Sequence, residues 1–186
     1  MTRASNAALG VVAGAAGVGF VAGVATGAAR KVAAQAITTG ANADWLEALK
    51  TEHRQVDVVF AMLEKTTEKD TGKRKAGIQK IEYALTKHGV EEENVVYPAL
   101  RQADQEAAAK HLYDDHADIK TFIFELKQME KDDPQWLPRL RAFHALIKEH
   151  VREEEEEIYP AFKAKMTAEQ NAKLSKSMQI MGMKVG

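Results

Sequence analysis

Apolar residues recur at alternating three- and four-residue spacing in four stretches of the chain. The first stretch carries Leu46, Leu49, Val56, Phe60 and Leu63, and the second Ile78, Ile81, Leu85, Val95 and Ala99. The third carries Leu112, Ile119, Ile123 and Leu126, and the fourth Leu140, Phe143, Ile147 and Ala161. This spacing keeps one helix face apolar and turns it toward a core. Asp44 reads as the cap of the first helix. Asp70-Thr71-Gly72, Gln102-Ala103-Asp104 and Asp132-Asp133-Pro134 interrupt the pattern as turns. Four helices on short connections predict an all-α, up-down-up-down four-helix bundle. Thr167 and Gln170 form a capping box at the head of a short amphipathic C-terminal helix.

Six polar residues stand where these stripes call for apolar ones: His53, His88, Glu92, His116, His150 and Glu154. They belong to a duplication. His88-Gly89-Val90-Glu91-Glu92 leads to Val96-Tyr97-Pro98-Ala99-Leu100, and His150-Val151-Arg152-Glu153-Glu154 leads to Ile158-Tyr159-Pro160-Ala161-Phe162. Leu49 to His53 likewise matches Leu112 to His116. Each half thus holds one lone histidine and one His-x-x-x-Glu, whose two side chains share a helix face.

Their depth follows from counting. In antiparallel helices, residues equidistant from a turn lie level. The midpoint of 53 and 88 falls at Asp70-Thr71, and that of 116 and 150 at Asp133. The midpoints of 116 with 88 and with 92 fall at Gln102 and Asp104, in the second turn. All six groups are expected in one layer of the core. Two carboxylates there repel unless protonated or bound to a cation. Four imidazoles and two carboxylates are too many for one tetrahedral zinc. They suit two metals bridged by both carboxylates, with room for an oxo or hydroxo bridge and one small ligand. Nitrogen and oxygen donors with open positions point to iron, then manganese.

The twice-repeated His-x-x-x-Glu-Glu followed by Tyr-Pro resembles the hemerythrin-like family, the His-His-Glu cation-binding domain, over about residues 44 to 165. The resemblance implies a non-haem centre of two iron ions. His53 and His88 would hold one iron, His116 and His150 the other, and Glu92 and Glu154 would bridge. One departure stands out. Oxygen carriers of this family have a second histidine one turn from the third-helix ligand, whereas Leu112 and Lys120 occupy those positions here. Tyr113 or Glu91 could supply a substitute ligand, while His111 is rotated off the face. The expected small ligand is dioxygen, nitric oxide or peroxide. A small di-iron oxidase, peroxidase, ferroxidase or iron-storage enzyme is the alternative, and an assembly protein regulated by iron a third.

Other residues near the motifs read as structural. His111 and His144 are expected at the surface or behind the ligands. Glu91, Glu93 and Glu153 to Glu157 read as a solvated face, with Glu153 able to orient a ligand. Pro98 and Pro160 are expected to kink or end helices, and Tyr97 and Tyr159 to pack over the bundle end. Met178, Met181 and Met183 read as packing residues.

Composition changes the picture at the N-terminus. Residues 4–29 carry no charge and are built almost wholly of Ala, Gly and Val. The length suits a membrane span, and Gly19, Gly23 and Gly27 recur at the spacing that lets helices approach closely. Membrane association and homo-oligomer contact are both open readings of this helix in an otherwise cytoplasmic chain. The domain reading is therefore an appendage and linker at 1–40, the bundle at 41–165 and a helical tail at 166–186. Among 186 residues the formal charge is −1, which gives no electrostatic attraction to nucleic acid. The absence of cysteine excludes disulfides, thiolate metal sites and cysteine nucleophiles.

Overall fold

The computed structural model describes residues 44–185, so the readings made for residues 4–29 lie outside the described residues. Among the described residues every regular element is helical, and no helix is long and apolar enough to cross a membrane. The elements are α1 (Trp45–Leu63), α2 (Thr71–Glu91), α3 (Tyr97–Gln102), α4 (Glu106–Gln128), α5 (Trp136–Arg152), α6 (Tyr159–Lys163) and α7 (Ala168–Val185). A π-helical segment, Glu92–Val96, joins α2 to α3, and a second, Glu153–Ile158, joins α5 to α6. The backbone stays right-handed helical through both junctions, so each trio is one continuous rod. α1, the α2–α3 rod, α4 and the α5–α6 rod form the up-down-up-down bundle.

Local chemistry sets the boundaries. The Asp44 side chain accepts the Leu46 N–H at 3.1 Å and caps α1. The first turn closes when Asp70 accepts the Thr67 N–H and hydroxyl, both at 2.9 Å. Asp104 takes φ 58 in the second turn, a left-handed conformation that Asp tolerates better than most residues. Arg74 ties the first turn to the third. Its guanidinium is buried, donates to Thr66 Oγ1 and the Lys131 carbonyl, and lies over the Trp136 ring. α1 and α2 meet closely at Gly77, where a Cβ would stand 2.4 Å from Leu63 Cδ2.

Pro98 and Pro160 do not end their helices. Both sit in the first turn of the short helix that follows a π-segment. A proline ring clashes with the carbonyl four residues back and donates no hydrogen bond. Widening the helix just before the proline relieves that conflict without breaking the rod.

The tail forms α7, 18 residues that fall within the expected 166–186. The box forms: Thr167 N–H donates to Gln170 Oε1 at 2.8 Å, and Gln170 N–H to Thr167 Oγ1 at 3.2 Å. α7 is anchored on α1, where the Trp45 indole donates to Asn171 Oδ1 at 2.9 Å and the Trp45 N–H to Ser175 Oγ at 3.1 Å. Leu174 and Met178 are buried beneath it.

The apolar stripes form two cores. One gathers Trp45, Leu49, Val96, Leu100, Leu112 and Phe162, with Leu174 and Met178 of α7. The other gathers Val56, Phe60, Ile81, Ile123, Leu140 and Phe143 among others. Each large apolar side chain buried there contributes about 1.5–3 kcal/mol. Between the two cores lies a polar layer.

Candidate metal centre

The layer is built from helical spacing. His88 and Glu92 stand four residues apart on one rod, and His150 and Glu154 four apart on another. The lone histidines come from α1 and α4. The structure brings all six sequence-predicted residues together, and each is buried, with Glu92 and Glu154 at 0 % exposure. His88 Nε2 lies 3.0 Å from Glu92 Oε2, and His116 Nε2 lies 3.3 Å from the same oxygen. His53 Nε2 is 3.4 Å from Glu154 Oε2, and His150 Nε2 is 3.4 Å from Glu154 Oε1. Two quartets of donor atoms result, His53-His88-Glu92-Glu154 and Glu92-His116-His150-Glu154, each within 4.8 Å. Both carboxylates belong to both quartets.

Two tyrosines complete the layer, and their presence corrects the expectation that Tyr97 and Tyr159 only pack over the bundle end. Each follows its glutamate by five residues, which on an α-helix rotates it about 140° away. The π-segments bring it back. Tyr97 N–H bonds the Glu92 carbonyl and Tyr159 N–H the Glu154 carbonyl, each five residues behind. Tyr159 Oη then lies 2.6 Å from both Glu92 Oε1 and Glu154 Oε1. Tyr97 Oη lies 3.0 Å from Glu154 Oε1 and 2.9 Å from His116 Nε2. π-segments inside α-helices often mark functional sites. The signal available in the sequence was the Tyr-Pro pair repeated at one offset after each glutamate.

Four further carboxylates stand behind the histidines. His53 Nδ1 pairs with Glu155 at 2.7 Å, His88 Nδ1 with Glu52 at 3.0 Å, His116 Nδ1 with Glu93 at 2.8 Å and His150 Nδ1 with Asp115 at 3.1 Å. Each fixes a ring so that Nε2 faces the centre, as outer partners of metal-binding histidines do. Glu93 and Glu155 were therefore misread as a solvated face. The pattern is duplicated in the chain: an acid directly before each lone histidine, and one directly after each buried glutamate. Every one of these acids serves a histidine on a different rod, so no single helix displays the pairing.

The other candidate ligands lie elsewhere. Tyr113 donates to the Glu93 carbonyl at 2.7 Å and stands edge-on to Tyr97. Glu91 is buried rather than solvated; it pairs with Lys87, and Gly182 of α7 closes over it so tightly that a Cβ there would stand 2.2 Å from Glu91 Oε1. His111 is exposed and pairs with Glu153 at 2.6 Å. His144 is buried in the second core, stacked on Phe60, with its ring nitrogens held by Glu64 and Asp57 of the first turn and α1.

The electrostatics of the layer require positive charge. Burial pushes the Glu92 carboxyl upward, but the His88 charge and the His116 hydrogen bond hold it well below the usual range. Burial opposes charge on His116, yet hydrogen bonds to Glu92 and Glu93 raise it to about 9. His88 is raised well above its ordinary value because the Glu92 charge and the Glu52 hydrogen bond outweigh its burial. Without metal, protonated imidazoles neutralise the carboxylates. That arrangement leaves defects: His150 Nε2 and Glu154 Oε2 are buried without a hydrogen-bond partner. Tyr159 has one hydrogen for two carboxylate oxygens at 2.6 Å. Such unsatisfied buried polar groups cost about 1–3 kcal/mol each. A metal ion held by these side chains would satisfy them, and the imidazole and carboxylate donors fit borderline first-row metals.

Fold and site together define a helical-bundle protein with a buried histidine-carboxylate cluster able to hold metal. The chain belongs to the hemerythrin family: the family model described as Hemerythrin HHE cation binding domain matches residues 45–162. A relative from Nostoc sp. named "DNA nickase" is 27% identical over 124 residues, covering 67% of this chain and 35% of that protein. The chain thus spans about a third of that relative's length. No solved structure matches the chain.

Proposed function

We propose that the chain is a non-haem di-iron protein that binds or senses a small ligand: dioxygen, nitric oxide or peroxide. His53 and His88 would hold one iron, His116 and His150 the other, and Glu92 and Glu154 would be shared. The observation that carries this reading is that two buried donor quartets have both carboxylates in common. Iron fits the donor set best, with manganese second. Bound there, the metal pair would supply open coordination positions and one-electron redox chemistry.

The protein's own residues supply access and protons. A cavity of about 100 Å³ is lined by all four cluster histidines and by Val56, Ile119, Ile123 and Ile147. These apolar walls favour a small uncharged ligand, while Glu93 and Lys120 also line the cavity. Tyr97 and Tyr159, on the side of the other core, keep their hydroxyl protons because burial and the nearby glutamates push both phenols well above their usual range. They act as fixed donors to the shared carboxylates.

The test is metal analysis of protein purified without added metal, followed by spectra under air and vacuum. Two irons per chain and a spectrum that reverses under vacuum support a carrier or sensor. Folded protein from iron-rich medium that holds no metal overturns the reading. The two phenols favour a second reading, an enzyme consuming peroxide; rapid loss of hydrogen peroxide that slows in Tyr159→Phe would select it. The nicking activity named for the Nostoc relative is not carried over to this chain. The donor atoms are buried beneath helices, out of reach of a phosphodiester, and the acidic Glu156 and Glu157 face solvent nearby. Supercoiled plasmid incubated with the loaded protein is expected to stay supercoiled.

A further inference from the structure

The four carboxylates behind the cluster histidines differ in what neutralises them. Glu52 pairs with Lys87 at 2.7 Å, and Glu93 with Lys120 at 2.6 Å. Glu155 feels the charges of Lys50 and Arg54. Asp115 has neither a lysine nor an arginine among its ionic partners within the described residues. Its carboxylate meets His150 Nδ1 on the inside and His111 Nε2, at 3.8 Å, on the outside. His111 Nε2 in turn lies 2.6 Å from Glu153 Oε2.

We propose that His111, Asp115 and Glu153 form an outer site for one first-row divalent cation, on the surface behind His150. His111 and Asp115 are four residues apart on α4 and share a face. Glu153, the residue that directly follows α5, stands opposite them. Each residue offers one donor atom, and the three donors lie within 4.8 Å of one another. One imidazole and two carboxylates suit manganese, iron, cobalt or zinc in their divalent state better than calcium or magnesium. The His111 side chain is 51% exposed, so an ion reaches the site from solvent without any movement of the bundle. The cation takes the place that lysines fill behind Glu52 and Glu93 and steadies the carboxylate that orients His150. Arg152 does not fill it: its guanidinium is engaged by Glu149 and Glu157 and stands 3.8 Å from the far oxygen of Glu153. The site goes beyond the di-iron reading and holds whatever metal the buried centre takes.

The experiment is a manganese titration of the full chain at about pH 8, with free Mn²⁺ read by electron paramagnetic resonance and total metal by elemental analysis of the same samples. Wild type is compared with His111→Ala and Glu153→Gln, which leave all six buried residues and Asp115 untouched. Loss of a ligand costs at least as much as loss of an outer partner, roughly 10- to 100-fold in affinity. Each variant is expected to bind one Mn²⁺ fewer, or to bind that one at least tenfold more weakly, with its melting temperature and buried metal unchanged. Equal stoichiometry and affinity in all three proteins overturn the proposal and leave His111–Glu153 as a salt bridge only. Elemental analysis before any Mn²⁺ is added reads the buried centre, and the titration reads the ion added, so an empty centre and an absent outer ion give different results.

Discussion

The two halves of the buried centre arise from one repeated pattern, yet they are not alike. In the first half His53 Nε2 and His88 Nε2 close to 2.9 Å, with rings edge to face at 4.6 Å. In the second half the His116 and His150 rings stand 5.1 Å apart, and His150 Nε2 has no partner. There the Tyr97 hydroxyl has moved onto His116 Nε2. Two imidazole nitrogens at that distance hold one proton between them, so the first half pairs its own histidines. The second pairs a histidine with a phenol instead. The cause lies outside the ligand set. Tyr113 stands edge-on to Tyr97 and steers it toward His116, whereas Trp45 backs Tyr159, which spans both glutamates evenly. Leu112 stands one helical turn before His116 and lies in the apolar core. Two histidines and the two shared glutamates therefore make, in each half, a pocket with different neighbours, and the second half is expected to take up and exchange metal or ligand first.

The comparison rests on both halves sharing their carboxylates, so the largest effect is expected from Glu92→Ala. It removes a donor from both quartets and leaves His88, His116 and Tyr159 without their common acceptor. Bound metal should fall from two ions to at most one, and the metal-free fold should lose about 3–5 kcal/mol, as when a buried pair is broken. Elemental analysis and denaturant melts measure both. Retention of two ions would remove Glu92 from any bridging role.

The tyrosines sharpen the contrast. Tyr159→Phe strips a donor from both glutamates and should weaken both halves. Tyr97→Phe takes from His116 Nε2 its nearer partner, leaving it Glu92 at 3.3 Å, and should weaken the second half more than the first. Each loss weakens the hydrogen bonding of buried polar groups, at about 1–3 kcal/mol. Stepwise metal titration of the two variants distinguishes the patterns; identical isotherms would mean that the tyrosine asymmetry is without consequence.

That asymmetry was also what the sequence concealed. The bundle was legible because Leu46, Leu49, Phe60 and their counterparts repeat at helical spacing, and because antiparallel rods allow depths to be counted from the turns. The meeting of six polar side chains followed from the same count. The π-segments did not, because hydrophobic spacing assumes one α-helical period throughout, and five residues on an α-helix separate Glu92 from Tyr97 by about 140°. Glu93 and Glu155 were misread for a different reason: each lies beside a buried glutamate, but its partner histidine is on another rod. His144 was expected at the surface or behind the ligands and is instead in the second core, because its partners, Asp57 and Glu64, lie on and just beyond α1 and make its burial tolerable only after the bundle forms.

The orienting carboxylates offer a gentler probe of each half. Glu155→Gln acts on His53 in the first, and Glu93→Gln on His116 in the second. The amide oxygen still accepts the Nδ1 proton but lacks the charge that makes Nε2 a stronger ligand. Affinity for the corresponding ion should fall roughly 10-fold, the low end of the range for outer partners. If both substitutions weaken the same ion, the assignment of two histidines to each half fails.

The smallest expected effect is a pH trend, and its sign separates metal-free from loaded protein. His116 rises from 6.5 in the unfolded chain to about 9 in the fold, because Glu92 and Glu93 outweigh the cost of burial. His53 and His88 shift the same way, His53 through Glu154 and Glu155 against its burial. A raised histidine contributes stability that is fully present below its unfolded value and is lost as pH climbs through its folded value. The metal-free bundle should therefore soften between about pH 6.5 and 9. A bound cation replaces those protons, so the loaded bundle should not soften with it. The gap between loaded and chelator-stripped melting temperatures should widen across that window, and metal uptake near neutral pH should release protons into a weak buffer. A gap that narrows as pH rises, or uptake without proton release, would mean that the carboxylates are balanced in the metal-free chain by something other than these imidazoles.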